Sequence, residues 1–336
     1  MQQYASDDGA LTDWHLAHLA GFAVGGAALI VAEVAAVEAA GRISPKDIGI
    51  WSDAFIDGFR RVTTLLSGLG TVPGIQIGHA GRRGGTRPPF ETDNTLEAAA
   101  DRWELVAPSS LAFQSAYVVD PVIPRELSVA EISSLVEAFG AAAARAHAGG
   151  FRWLEIHAAH GYLLHSFHSP LSNRRTDDYG GSHQNRIRFT LEVVRSVRQN
   201  WPPGLPLSLR ISGTEFRDGG WTIEDSTGLA RSVAAEGVDV IVCSSGAGRS
   251  SDGGRNNGAG FNVPISEGVR RDAGVITGVV GKICDPFQAD EIIRNDRADL
   301  VFMAREMLRD PRWPLHAAQR LGINGPALPL RYAHFL

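Results

Sequence analysis

Residues 151–182 read FRWLEIHAAHGYLLHSFHSPLSNRRTDDYGGS, and the fold follows from how this stretch begins. Residues 151–156 form a short apolar run after a helical pattern that ends at Gly149-Gly150. Two histidines three apart, His157 and His160, come at once after it, then Gly161 and Tyr162. In an α/β protein, polar side chains at the carboxyl end of a buried strand are where chemistry sits. Four histidines and a tyrosine within 157–168 ask for more than packing.

Working outward, short apolar runs alternate with longer helical patterns, the βαβ signature of a parallel sheet. Strands are expected over 27–37, 71–77, 151–156, 205–211, 238–243, 274–280 and 299–303. Helices are expected over 53–69, 129–148, 184–200, 222–236, 286–295 and 314–321, with another before the first strand. Ser128 followed by Glu131 is a capping box, and Pro286 suits a first helical turn. No glycine-rich dinucleotide turn follows any strand, so the pattern predicts an α/β fold of (β/α)8 TIM-barrel type, one domain over residues 1–336. Such a barrel needs eight strands, and only seven are found.

With 336 residues, 44% of them hydrophobic, the chain can bury a substantial core. A net charge of -5 without a long basic run gives no face for nucleic acid or an anionic membrane. Residues 14–32 lack Asp, Glu, Lys and Arg, but Gly25-Gly26 divides them into a helix and a buried strand rather than a membrane span. No lysine or arginine precedes Arg42, which argues against a signal peptide, and a cytoplasmic protein is expected. Cys243 and Cys284 lie far apart and read as buried reduced thiols. The loops at 82–95 and 246–262, rich in Gly with Arg, Pro, Ser or Asn, are candidate substrate lids or ordinary surface loops.

The central stretch resembles the Old Yellow Enzyme family, the flavin-dependent ene-reductases. His157, His160 and Tyr162, then Ser169-Pro170-Leu171, Asn173-Arg174-Arg175, Asp177 to Ser182 and Asn185-Arg186 carry the match. The other segments look most like the family's bacterial, thermophile-type branch. The resemblance implies that residues 1–6, MQQYAS, correspond to the end of the family's first strand. The expectation is a natural start upstream of Met1; the alternative is a shortened homologue. Gln2 stands where that branch carries a flavin-tuning cysteine.

The strand ends collect one amide, one guanidinium and two imidazoles, with glycine amides beside them, which suits a flat polar ring bearing a phosphate. FMN meets each element. Gln76 can donate to and accept from the pyrimidine edge, and Arg210 can stabilise an anionic reduced ring. By resemblance, Gln76, Arg210, Gly281, Ala304 and Arg305 are the FMN contacts. His157 and His160 would polarise the carbonyl of an enone or similar activated alkene, Tyr162 would protonate its α carbon, and Tyr4 would join the substrate site. NAD(P)H would be the electron donor. The family's tail reaches into a neighbouring subunit, implying a homodimer or homotetramer, but His334 replaces its usual arginine and leaves Arg331 without an assigned role.

Two other readings stand beside this one. The first is an FMN-binding homologue without turnover. The second is a metal-dependent barrel hydrolase using His157, His160, His165 and His168. Its metal would need a strand-end carboxylate where the chain has Ala304-Arg305, so no metal ligand is assigned.

Overall fold

The structure, a computed structural model, describes residues 1–92, 97–100, 102–115, 117–246, 258–326 and 332. The chain runs through α1 (Asp13–Val24), β1 (Leu29–Ala36), α2 (Ile56–Gly68), β2 (Val72–Gly78) and two short strands, β3 (Val106–Ala107) and β4 (Arg125–Glu126). Then come α3 (Val129–Ala148), β5 (Trp153–Ala158), α4 (Leu163–His168), α5 (His183–Asn200), β6 (Leu207–Ser212) and α6 (Ile223–Ala235). The last third holds β7 (Val240–Ser244), α7 (Val263–Ala273), β8 (Ile276–Val280), α8 (Pro286–Arg294), β9 (Leu300–Phe302), α9 (Arg305–Arg309) and α10 (Trp313–Leu321).

Seven strands form one sheet in the order β1-β2-β5-β6-β7-β8-β9. Every neighbouring pair is parallel. The sheet curls as a barrel does. Leu29 and Val31 of β1 and Leu300 and Phe302 of β9, at opposite ends of the strand order, pack against one inner cluster built on Trp153, Val240 and Val242. Strand alternation then points Gln76, Glu155, His157, Arg210 and Ser244 to the same interior, nearer the carboxyl ends.

The helices cover the outside. α3 starts at the Ser128–Glu131 capping box and buries Ile132, Leu135, Phe139, Ala142, Ala143 and Ala146, a stripe at helical spacing. Pro286 opens α8, where Asp285 accepts the N–H groups of Phe287 and Gln288.

Among the described residues no strand joins β1 to β9, as the count of seven implies. The segment 1–6 runs along the free edge of β1 without becoming a strand. The Gln2 amide bonds the Val34 backbone in both directions, accepting its N–H at 3.1 Å and donating to its carbonyl at 3.4 Å. A side chain thus satisfies edge groups that a neighbouring strand would otherwise pair. Beside it the Gln3 N–H donates to Glu33, which also bonds His15 at 3.0 Å.

The structure corrects three expectations. Cys284 is exposed, because it lies in the turn between β8 and α8 and not in a buried run; Cys243, within β7, is buried, and both are free thiols. His157 belongs to β5 itself, which extends to Ala158. Helices α4, α7 and α9 stand where none was expected. α7 begins at Val263-Pro264 and carries Gly268 inside it, features that mask a helical pattern.

Candidate active site

The carboxyl ends of the strands open into a cavity of about 840 Å³. Gln76, His157, His160, Tyr162, Arg210 and Ala304 all line it. Its apolar flank runs into the opening between β1 and β9. Gly281 directly follows β8 and Arg305 begins α9, so both sit at the rim without lining the cavity. Tyr4 is also outside the lining but lies within electrostatic reach of Tyr162.

His157 and His160 stand nearly perpendicular, ring centres 5.0 Å apart, and the Tyr162 ring lies 5.0 Å from His157. Burial, reinforced by the Arg210 charge, holds both imidazoles well below the usual histidine range, so each is neutral and carries one proton. For His157 that proton is placed by geometry. Its Nδ1 accepts the Ala159 N–H at 3.2 Å, which leaves Nε2–H as a donor. His160 is held at φ +62°, with its N–H bonded to Ser212 Oγ at 2.9 Å. Its Nε2 lies 2.9 Å from Ser244 Oγ, and that hydroxyl is also 2.9 Å from the Ile211 carbonyl. One hydroxyl proton serves two acceptors. When Ser244 donates to His160 Nε2, the remaining proton of His160 is on Nδ1. A side chain at Gly246 would crowd the opposite edge of the ring, its Cβ only 2.9 Å from Cδ2.

Burial pushes the Tyr162 hydroxyl upward, and the Arg83 guanidinium opposes that. Arg83 lies over the Tyr162 ring at 4.8 Å and donates to the His160 carbonyl. Gln76 Nε2 donates to Glu155 at 2.6 Å, leaving its Oε1 and a second N–H for a ligand. Glu155 is buried and its carboxyl is pushed up by that burial, with Arg210 as the main opposing influence. His165 and His168 are built into the protein. His165 Nδ1 accepts the Gly161 N–H, and His168 Nε2 meets Thr190 Oγ1 at 2.6 Å while its ring stacks on Trp221.

Glu155 and Asp47 were not anticipated. Glu155 was legible in principle, since it lies two residues before His157 and so shares its face of the strand. Asp47 gave no signal, being a single acid in a turn. The 82–95 loop is described as far as residue 92, and most of 246–262 lies outside the described residues, as do Arg331 and His334. Tyr332 lies under the Arg312 guanidinium at 5.6 Å.

The donor set suits FMN. An amide with a free oxygen and N–H, and a guanidinium whose only bond to the described residues is from Nε to Ser244, meet at one end of a cavity large enough for a fused ring. A parallel barrel with this set at its carboxyl face defines a flavin-dependent oxidoreductase. The chain belongs to the NADH:flavin oxidoreductase / NADH oxidase family, whose profile matches residues 1–324. It is 43% identical over 317 residues to the NADPH dehydrogenase of Geobacillus sp. (strain WCH70), covering 94% of this chain and 86% of that one. Among solved structures, the old yellow enzyme homologue from Zymomonas mobilis is similar with a TM-score of 0.77 at 22% identity, covering 98% of this chain and 89% of that one. Morphinone reductase is similar with a TM-score of 0.74 at 25% identity, covering 98% and 86%. The expected Old Yellow Enzyme kinship, FMN and NAD(P)H are thereby met. No helix among the described residues is long and apolar enough to cross a membrane.

Proposed function

We propose that this oxidoreductase reduces the C=C bond of α,β-unsaturated carbonyl compounds. The observation that carries the reading is the grouping of His157, His160 and Tyr162 on one wall of the cavity that also holds Gln76 and Arg210. Likeness to a protein named morphinone reductase supports a reductase acting on a small ketone-bearing molecule.

When bound, FMN supplies a hydride equivalent, taken from NAD(P)H, to the substrate's β carbon. Gln76 and Arg210 would hold the polar edge of its ring, and Gly281, Ala304 and Arg305 its phosphate. His157 Nε2–H donates to the carbonyl oxygen of the substrate. His160 joins it through Nδ1–H when Ser244 donates to its Nε2 and not to the Ile211 carbonyl. Two fixed neutral donors stabilise the negative charge that grows on that oxygen without first being desolvated. Tyr162 holds the proton for the α carbon. Arg83 beside its ring then stabilises the tyrosinate left behind.

The test is NADPH consumption by the FMN-loaded protein under anaerobic conditions with 2-cyclohexenone. Cyclohexanone forming in step with NADPH loss is the expected result. No NADPH loss and no ketone product under these conditions, with NADPH oxidised only once oxygen is admitted, would leave an NADPH oxidase and refute the enone reading.

A further inference from the structure

A buried acid that this mechanism does not use lies directly behind its proton donor. Asp47 is 1% exposed, in the turn between β1 and α2. Its Oδ2 accepts the N–H groups of Ile43 and Ser44 at 2.7 and 3.0 Å. Its Oδ1 is fully buried and has no hydrogen-bond partner. The Gln2 amide bonds the Val34 backbone and also lies beside the carboxyl, where it favours the charged form.

An unpaired buried oxygen of this kind is costly unless something fills the gap. A second cavity lies between Asp47, Tyr162 and His157, with His79 and Arg42 on its walls. Its volume is about 10 Å³, at the lower bound for one water molecule, and Asp47 and Tyr162 are polar residues on its walls. The Tyr162 hydroxyl has no hydrogen-bond partner among the described residues.

Resting on the reading of Tyr162 as proton donor, we infer that Asp47 is a proton reservoir that reloads Tyr162 through one water in this cavity. As the Tyr162 O–H bond breaks and its proton bonds to the substrate's α carbon, the water gives a proton to the phenolate oxygen. The water takes the Asp47 carboxyl proton in turn. Asp47 is left as a carboxylate and recovers a proton from solvent after product leaves, so one proton enters per turnover.

The electrostatics agree. Burial pushes the Asp47 carboxyl up to about 7 against the Gln2 amide and the Ser44 and Ile43 backbone groups, with Glu33 adding to the rise. The other titratable or charged groups around it are Arg42, His79, His157 and Tyr162 on the cavity walls, and Tyr4 within electrostatic reach. His79 is tied to Glu38 at 2.9 Å and to the Gly81 N–H, so it is not free to take over the role.

The test follows the oxidative half-reaction of the FMN-loaded protein against pH, for wild type and Asp47→Asn. Wild type is expected to lose about tenfold in rate per pH unit above about 7, as the protonated share of Asp47 falls. Asp47→Asn should be slower and lack that break. A break that persists in Asp47→Asn, or is absent from wild type, overturns the relay. Infrared difference titration of the FMN-loaded proteins gives an independent check: a carboxyl band that ionises near pH 7 in wild type and is missing from Asp47→Asn supports the assignment, and its absence from wild type refutes it. If Tyr162→Phe slows the reaction while Asp47→Asn keeps the break, the relay alone fails. An unaltered Tyr162→Phe removes the underlying reading as well.

Discussion

Tyr162→Phe is expected to slow the oxidative half-reaction with an enone by about 10²–10⁴-fold, the range of a positioned general acid. Reduction of the bound cofactor by NADPH should stay near the wild-type rate, because that step draws no proton from this hydroxyl. The separation makes the experiment informative. Tyr162 meets the His157 ring edge to face at 5.0 Å and lies under Arg83, so a packing defect would disturb both half-reactions together. Removing only the oxygen keeps the ring and these contacts. Rapid-mixing absorbance measurements of each half-reaction check it, and slowing confined to the reductive half would put Tyr162 in another role.

Replacing His157 and His160 together with alanine should cost enone reduction at least about 10²–10³-fold, the effect of losing one oxyanion-type donor. The two losses need not multiply, since both donors serve one oxygen and act as a unit. Phenols, which offer an oxygen to the same donors, should bind more weakly to the variant. FMN should remain bound, because its proposed contacts are Gln76, Arg210 and the last two strand ends. Titration of the flavin absorbance with a phenol, alongside turnover, measures both. An unchanged enone rate would end the assignment. The single variants are informative too: His157 has its donor nitrogen fixed by Ala159, whereas His160 depends on the Ser244 proton. His157→Ala should therefore be the more damaging of the two.

Much of this site is legible before any coordinates, for a definable reason. Strand alternation and the carboxyl-end rule place His157, Gln76 and Arg210 on one interior once the strands are found, because a parallel barrel leaves little choice of face. The Ser128–Glu131 cap and the run 129–148 gave α3 its observed bounds because its signals are local. Signals that are not local failed. Nothing near Asp47 in the chain distinguishes it from a solvated turn acid, and only the folded loop shows it buried behind Tyr162. Nor can spacing reveal that one Ser244 proton sets the tautomer of His160. α7 was hidden because Pro264 and Gly268 obscure a helix that packing against its neighbours stabilises. The seven-strand count was right, yet the use of the Gln2 amide to pair the free edge of β1 is a tertiary solution without a sequence pattern.

The central claim is that electrons from NADPH reach an enone in the cavity walled by His157, His160 and Tyr162. Its most direct test is a two-step anaerobic experiment on the FMN-loaded 1–336 protein. NADPH first bleaches the flavin absorbance in the absence of oxygen, and 2-cyclohexenone is then added. The account predicts that the oxidised spectrum returns at a rate that rises with enone concentration, with one cyclohexanone formed per flavin. A reduced protein that stays bleached in the presence of the enone, and regains colour only when oxygen is admitted, would contradict it.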